Sequence, residues 1–244
     1  MGRFRNIAVL LAGGEGKRAG GGVPKQLRML PDGRSVLQTC MDTFRSCAAI
    51  EDIWVVMHRD WLPFVPKGVR VTEGGRERWE SSYRAVQAIT KQLSAPSNGQ
   101  PIELEYVNIL LHDVARPFVC NAIIERVCEA LETCEAVSVA VPVTDTIYQV
   151  QRYADDTEGA TDTKIQSIPP RSTMMRAQTP QAFRLPVIQN AFELAVSDPK
   201  GITATDDAGI VSKYLPSVLI RIVQGEESNR KITFAEDFPT VNTR

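Results

Sequence analysis

The chain predicts an α/β fold: a mostly parallel sheet with helices on both faces and a projecting β-arm, all within one domain spanning residues 1–244. Three observations carry that expectation. Apolar runs of strand length alternate with segments of helical periodicity along the chain. With 244 residues and 43% hydrophobic content, the chain can bury one large core. Residues 144–173 interrupt the alternation with a polar stretch ending at Pro169-Pro170-Arg171, too poor in apolar runs to enter that core.

The first strand is Ile7 to Leu11, an unbroken apolar run of the kind that a sheet covered on both faces requires. A helical pattern follows over Val36 to Cys47, then a strand over Ile53 to Met57. After the Gly74-Gly75 turn, a second helix runs from Arg76 to Leu93, and the polar loop 94–101 leads to a strand over Tyr106 to Leu111. Ala122 to Leu131 reads as a helix and Ala136 to Val143 as a strand. Within 144–173, Ile147, Tyr148 and Val150 answer Ile165 and Ile168 as the two sides of a hairpin, an arm (residues 144–173) that is marginal alone in water and gains burial from a second subunit. AQTPQAF (177–183) reads as a polar loop, Val187 to Val196 as a helix, and Thr205-Asp206-Asp207 as a helix cap. A strand over Val218 to Val223 follows, and SNRKIT (228–233) suggests an edge strand that presents Lys231 to one face. Such an alternation is Rossmann-like, and in sheets of this kind ligands collect at the carboxyl ends of the strands.

A net charge of −1 gives no general footprint for nucleic acid or a membrane, so any phosphate binding is local. No run approaches the roughly 18 apolar residues that span a bilayer, and Arg3 and Arg5 precede no separate apolar signal core, so a cytoplasmic protein is expected. Cys40, Cys47, Cys120, Cys128 and Cys134 are odd in number without a C-x-x-C pair, which suits free thiols in a reducing compartment. His58 and His112 are the two histidines, too few for a dedicated zinc cluster.

The most informative stretch is LAGGEGKRAGGGVPKQ, residues 11–26, directly after the first strand. Leu11, Ala12, Gly13, Gly14 and Gly16 offer main-chain N–H groups, with the glycines free to take positive-φ turns, while Lys17, Arg18 and Lys25 offset the charge of a triphosphate. A Walker loop would end in Gly-Lys-Ser/Thr and a dinucleotide fingerprint would read G-x-G-x-x-G, and neither fits. Pro24 fixes the backbone ahead of Lys25 and aims that lysine. Gly74, Gly75, Arg76, Arg78 and Ser81 suit amides and a hydroxyl that read a base edge, with a capped helix as the plain alternative. HDVARP (112–117) sets Asp113 and Arg116 just past a buried strand, where a carboxylate and a guanidinium can address hydroxyls and a phosphate. Thr179 and Thr205 are further candidate substrate-side hydroxyls.

Taken in order, LAGGEGKR, PKQ, GGRERWES, HDVARP, DTI, AQTPQAF, TDDA and SNRKIT closely resemble the 2-C-methyl-D-erythritol 4-phosphate cytidylyltransferase family and its sister family acting on D-ribitol 5-phosphate. The resemblance implies a single α/β domain, a dimer-forming arm and a Mg²⁺-dependent reaction between CTP and a polyol phosphate. Arg18 and Lys25 match the positions that stabilise the transition state; Arg171 and Lys231 match those that position the acceptor phosphate. Leu11 to Gly14, Gly75 and Ser81 match CTP-binding positions. Asp113, Arg116 and Thr146 match substrate-side positions that reach the neighbouring subunit's cleft.

Methylerythritol phosphate stands first as acceptor, and D-ribitol 5-phosphate is the alternative. Ala12-Gly13-Gly14 and Met174-Met175-Arg176 depart from the methylerythritol pattern, which carries A-A-G and a tryptophan there. SIPPR (167–171), His58-Arg59-Asp60-Trp61 and SNRKIT lean toward the ribitol branch, whereas Ala177 leans the other way. A non-catalytic nucleotide-binding homologue is a further alternative, against which Lys25 and Lys231 speak. The acceptor phosphate is ionised at neutral pH, so the implied chemistry needs positioning and charge neutralisation, with no general base.

Overall fold

The computed structural model describes residues 4–13, 23–95, 103–154 and 161–239, so Gly14, Gly16 and Arg18 of the glycine-rich loop lie outside the described residues. In chain order the strands are β1 (Arg5–Ala12), β2 (Asp52–Met57), β3 (Arg70–Glu73), β4 (Val107–Asp113), β5 (Ala136–Pro142), β6 (Gln149–Ala154), β7 (Thr161–Ser167), β8 (Met175–Arg184) and β9 (Ile220–Gln224). The α-helices are α1 (Val36–Ser46), α2 (Arg78–Ser94), α3 (Asn121–Ala130), α4 (Leu185–Val196) and α5 (Asp207–Tyr214).

Among the described residues the main sheet has seven strands in the order β3-β2-β1-β4-β8-β5-β9. All neighbours are parallel except β8, which runs antiparallel to both β4 and β5. The period-2 geometry of β1 divides its apolar run between two cores. Ala8 and Leu10 pack with Leu37 and Phe44 of α1 and Ile123 and Val127 of α3. Ile7 and Val9 pack on the other face with Val86 and Ile89 of α2, Phe192 of α4 and Ile210 of α5. Strand order reverses between β1 and β4, which makes their carboxyl ends the switch point where α/β sheets hold ligands.

Several sequence expectations need correction. AQTPQAF is no loop: Gln178 to Phe183 are buried in β8, at the centre of the sheet. Its polar residues are hydrogen-bonded, and a break in register between Ser138 and Val139 of β5 makes room opposite Thr179-Pro180, where the proline has no N–H for the ladder. Lys231 sits on an irregular segment and on no edge strand. β3 was not anticipated, because four residues with an exposed start carry little pattern. Helix α2 begins at Arg78, with Glu77 at its N-cap, two residues later than the spacing suggests. The Thr205-Asp206-Asp207 cap opens a helix of its own, α5, in which Asp206 accepts a 2.8 Å hydrogen bond from Gly209 N–H.

The hairpin is present: β6 and β7 pair antiparallel as a separate two-stranded sheet, with Val150 opposite Ile165. Ile147, Tyr148, Val150, Ile165 and Ile168 are all exposed on it. Among the described residues, no helix is long and apolar enough to cross a membrane.

Candidate active site

A cleft of about 280 Å³ opens at the carboxyl ends of β1 and β4, walled by Leu11, Ala12 and Gly13 on one side and by Gly75 to Arg78 and Ser81 on another. Lys25, Gln26, Asp113 and Lys231 complete it. Of the residues singled out in the sequence, these elements bring together Leu11, Ala12, Gly13, Lys25, Gly75, Arg76, Ser81, Asp113 and Lys231.

Close approach, rather than a left-handed turn, explains the described glycines of the cleft. Gly13, Gly74 and Gly75 do not have positive φ. A Cβ on Gly13 would lie 3.1 Å from Ser81 Oγ, and one on Gly75 would collide with the Glu80 side chain. Gly75 N–H donates to Ser81 Oγ at 3.0 Å, which ties the turn to the first turn of α2. Arg76 N–H likewise donates to Glu80 Oε2 at 2.8 Å. Pro24 precedes a short 3₁₀ turn over Lys25–Leu27, from which buried Gln26 donates to Ala12 O at 2.6 Å. Lys25 Nζ reaches across the cleft to Ile232 O at 3.1 Å.

A line of alternating charge enters the cleft from the core. Asp207, fully buried, accepts from Arg78 Nη1 at 2.7 Å; Arg78 Nε donates to Asp113 Oδ1 at 2.9 Å; Lys231 Nζ donates to Asp113 Oδ2 at 2.7 Å. Burial would raise the Asp113 pKa, but Arg78 and Lys231 outweigh it and hold the carboxyl well below the usual range. Asp207, by contrast, is pushed up by burial, with Arg78 opposing.

Thr179 is 5% exposed. Its hydroxyl accepts from Asp113 N–H at 3.1 Å and lies 3.0 Å from His112 Nδ1, so it braces the cleft from behind. His112 Nε2 lies 3.1 Å from Arg116 O, and burial pushes the imidazole down to about 4. The neutral tautomer that donates from Nε2 and accepts at Nδ1 satisfies both partners. Arg116 spends Nη1 on Asn229 O and Nη2 on Ala177 O, at 2.8 and 3.1 Å.

Gly74 lies just outside the cleft wall, its N–H donating to Met57 O at 2.9 Å. Thr146 and Arg171 are exposed at the base of the arm and do not line this chain's cleft, and Arg171 Nη1 donates to Thr144 O at 2.9 Å. Thr205 is exposed on a neighbouring hollow that shares Glu77 and Arg78 with the cleft. Sequence reasoning missed the roles of Asp207, Gln26 and Asn229. All three lay inside the quoted strings TDDA, PKQ and SNRKIT, but only their burial reveals what they hold.

Among the described residues, no group of three or more His, Cys, Asp or Glu side chains comes together as a metal site. Both oxygens of Asp113 already face cations, and Glu77 is exposed at the cleft's edge.

Three comparisons bear on this arrangement. A family profile described as "IspD: 2-C-methyl-D-erythritol 4-phosphate cytidylyltransferase" matches residues 6–243. The 2-C-methyl-D-erythritol 4-phosphate cytidylyltransferase of Thermobifida fusca is 38% identical over 96% of this chain and 91% of its own. The bifunctional ribulose 5-phosphate reductase/CDP-ribitol pyrophosphorylase Bcs1 of Haemophilus influenzae is 32% identical over 96% of this chain and 46% of its own. Among solved structures, the 4-diphosphocytidyl-2C-methyl-D-erythritol synthase of Anaerococcus prevotii superposes with a TM-score of 0.73 at 26% identity, covering 96% of this chain and 93% of that one. The 2-C-methyl-D-erythritol 4-phosphate cytidylyltransferase of Thermus thermophilus gives 0.67 at 28% identity, with 94% of each chain covered. Fold, cleft and sequence agree that the chain belongs to the IspD family of cytidylyltransferases.

Proposed function

We propose that the chain transfers the cytidylyl group of CTP to the phosphate of 2-C-methyl-D-erythritol 4-phosphate and releases pyrophosphate, as a step in isoprenoid precursor biosynthesis. The observation that carries this reading is the convergence of two lysines on one cleft. Lys25 Nζ hydrogen-bonds the carbonyl of Ile232, the residue next to Lys231. An acceptor phosphate held by Lys231 thus stands close to a triphosphate held by Lys25 and the Leu11–Gly13 backbone.

One acceptor phosphate oxygen attacks the α-phosphorus of CTP; the new O–P bond forms as the bond to the β-phosphate oxygen breaks, and pyrophosphate leaves with that electron pair. No proton has to be removed first, since the attacking oxygen is already anionic. His112, buried and neutral, is consistent with a mechanism that has no histidine base. Lys25, together with Arg18 outside the described residues, offsets charge on the five-coordinate phosphorus. Mg²⁺ would enter with CTP as part of the substrate and would supply positive charge against its phosphates.

The exposed apolar residues of the arm support a homodimer in which residues 144–173 of each chain pack on the other. Thr146 and Arg171 then serve the partner's cleft. The free thiols Cys40, Cys47 and Cys128 are buried, in keeping with a cytoplasmic enzyme.

D-ribitol 5-phosphate is the second reading for the acceptor, favoured by the similarity to the CDP-ribitol pyrophosphorylase. Pyrophosphate release with CTP and each acceptor in turn tests the choice. A higher kcat/KM for methylerythritol phosphate is expected; a higher one for ribitol phosphate moves the chain to the sister activity.

A further inference from the structure

Lys231 sits on a segment, Gly225 to Ile232, that no helix or strand ladder holds. Its fixed point is Asn229, 0% exposed. The Asn229 side chain donates from Nδ2 to Thr179 O at 2.9 Å and to Gln178 Oε1 at 3.2 Å. Its backbone carbonyl accepts from Arg116 Nη1 at 2.8 Å, and its N–H donates to Glu226 O at 3.0 Å. Gln178 closes the clasp by donating from Nε2 to Glu226 O at 2.8 Å. The clasp also explains Gly225, where a Cβ would collide with the Gln178 carboxamide and lie 2.8 Å from Val139 Cγ1.

The buried Asn229 amide thus ties the segment that carries Lys231 to β8, while the Asn229 backbone carbonyl ties it to the turn after β4. The register continues to Ile232, whose N–H donates to Ala115 O at 2.7 Å and whose carbonyl accepts from Lys25. Lys231 itself has a long, partly exposed stem, so where its ammonium stands depends on where its backbone is held. An apolar residue in place of Asn229 would leave two buried acceptors, Thr179 O and Gln178 Oε1, without their donor, and the segment would have to shift to recover them.

We infer that Asn229 is a positioning residue for cytidylyl transfer: it sets the Lys231 ammonium against Asp113 and the acceptor phosphate without touching either substrate. This inference rests on the function proposed above. Misplacing a reacting group by ~1 Å costs on the order of 100-fold in rate, so Asn229→Ala is expected to lower kcat by roughly 10- to 100-fold. CTP affinity is expected to stay near the wild-type value, because Asn229 does not line the nucleotide wall.

The test is a double-mutant cycle of Asn229→Ala and Lys231→Ala, with kcat, CTP dissociation constant and melting temperature measured for each member. If Asn229 acts through Lys231, its substitution produces almost no further loss of kcat once Lys231 is alanine. Losses that multiply, or an Asn229→Ala enzyme with wild-type kcat, overturn the inference. Asn229→Ser, which keeps one donor, serves the same cycle if the alanine variant does not fold. A second readout needs no activity: amide exchange at Ile232 in the free protein is expected to quicken in the Asn229 variant, and unchanged exchange overturns the inference. Wild-type transfer from CTP is measured alongside, so a failure of the functional reading shows there, apart from the cycle.

Discussion

Asp113 Oδ2 accepts a 2.7 Å hydrogen bond from Lys231 Nζ, so the lysine assigned to the acceptor phosphate already has an anionic partner within its own chain. In the proposed reaction the phosphate would have to compete for that lysine with a carboxylate that Arg78 holds by its other oxygen. Asp207, behind Arg78, fixes the guanidinium so that the whole line stays in register.

Replacing Asp113 by asparagine removes the charge that holds both cations. Arg78 then keeps only Asp207 as a full partner, and Lys231 loses its station. Turnover is expected to fall by on the order of 100-fold, with a smaller change in CTP affinity. Single-turnover rates and nucleotide titration check this; a fall in affinity as large as the fall in rate would make Asp113 a nucleotide anchor.

Lys25→Ala and Arg18→Ala are expected to reduce kcat by about 100-fold or more while weakening CTP binding much less, because their charge matters most as negative charge builds on the transferred phosphorus. Rapid-quench measurement of the chemical step is the check. Near-normal turnover in Lys25→Ala contradicts the mechanism.

Stability depends on pH through His112. Burial lowers its pKa from 6.5 to about 4, so between those values the unfolded chain takes up a proton that the folded one refuses. The contribution of neutral His112 is therefore fully present above the unfolded value and declines as pH falls toward 4, by about 3 kcal/mol at the lower end. Asp113 adds a separate loss at lower pH: its depressed pKa stabilises the fold above the ordinary carboxylate range, and that stability goes as pH falls through the folded value. Urea denaturation of His112→Gln across the upper window is expected to show a flatter pH dependence, on a lower overall stability. A slope equal to wild type contradicts the assignment.

Mixing inactive Lys25→Ala chains with inactive Arg171→Ala chains is expected to restore activity. In a shared-site heterodimer, one of the two clefts has Lys25 from one chain and Arg171 from the other, both intact. Absence of activity in a verified heterodimer, or a fully active monomer in the ultracentrifuge, contradicts the shared site.

What the sequence made legible followed from pattern. The apolar runs of β1, β2, β4 and β5, and the amphipathic helices between them, announced the sheet and its covered faces, and the glycine-rich string after β1 announced the cleft. β8 was hidden because its buried face carries Gln178, Thr179 and Gln181, whose burial is offset by partners far away in sequence, such as Asn229 and Asp206. Lys231 was read onto a strand because Ile232 suggested alternation; Ile232 is buried, but a hydrogen bond to Ala115, not a ladder, puts it there. Arg116 was read as facing substrate from its place just past a buried strand and from the family motif, and Thr179 as a further substrate-side hydroxyl. Their hydrogen bonds turn them toward His112, Asn229 and Ala177, which no spacing rule encodes.

The central claim is that this cleft selects CTP and moves its cytidylyl group to a polyol phosphate. Pyrophosphate release measured with CTP, UTP, ATP and GTP, each with 2-C-methyl-D-erythritol 4-phosphate and with D-ribitol 5-phosphate, tests it most directly. Release dependent on both CTP and one of these acceptors, with little from the other three nucleotides, is the predicted result; comparable rates with UTP or ATP, or no release with either acceptor, would contradict it.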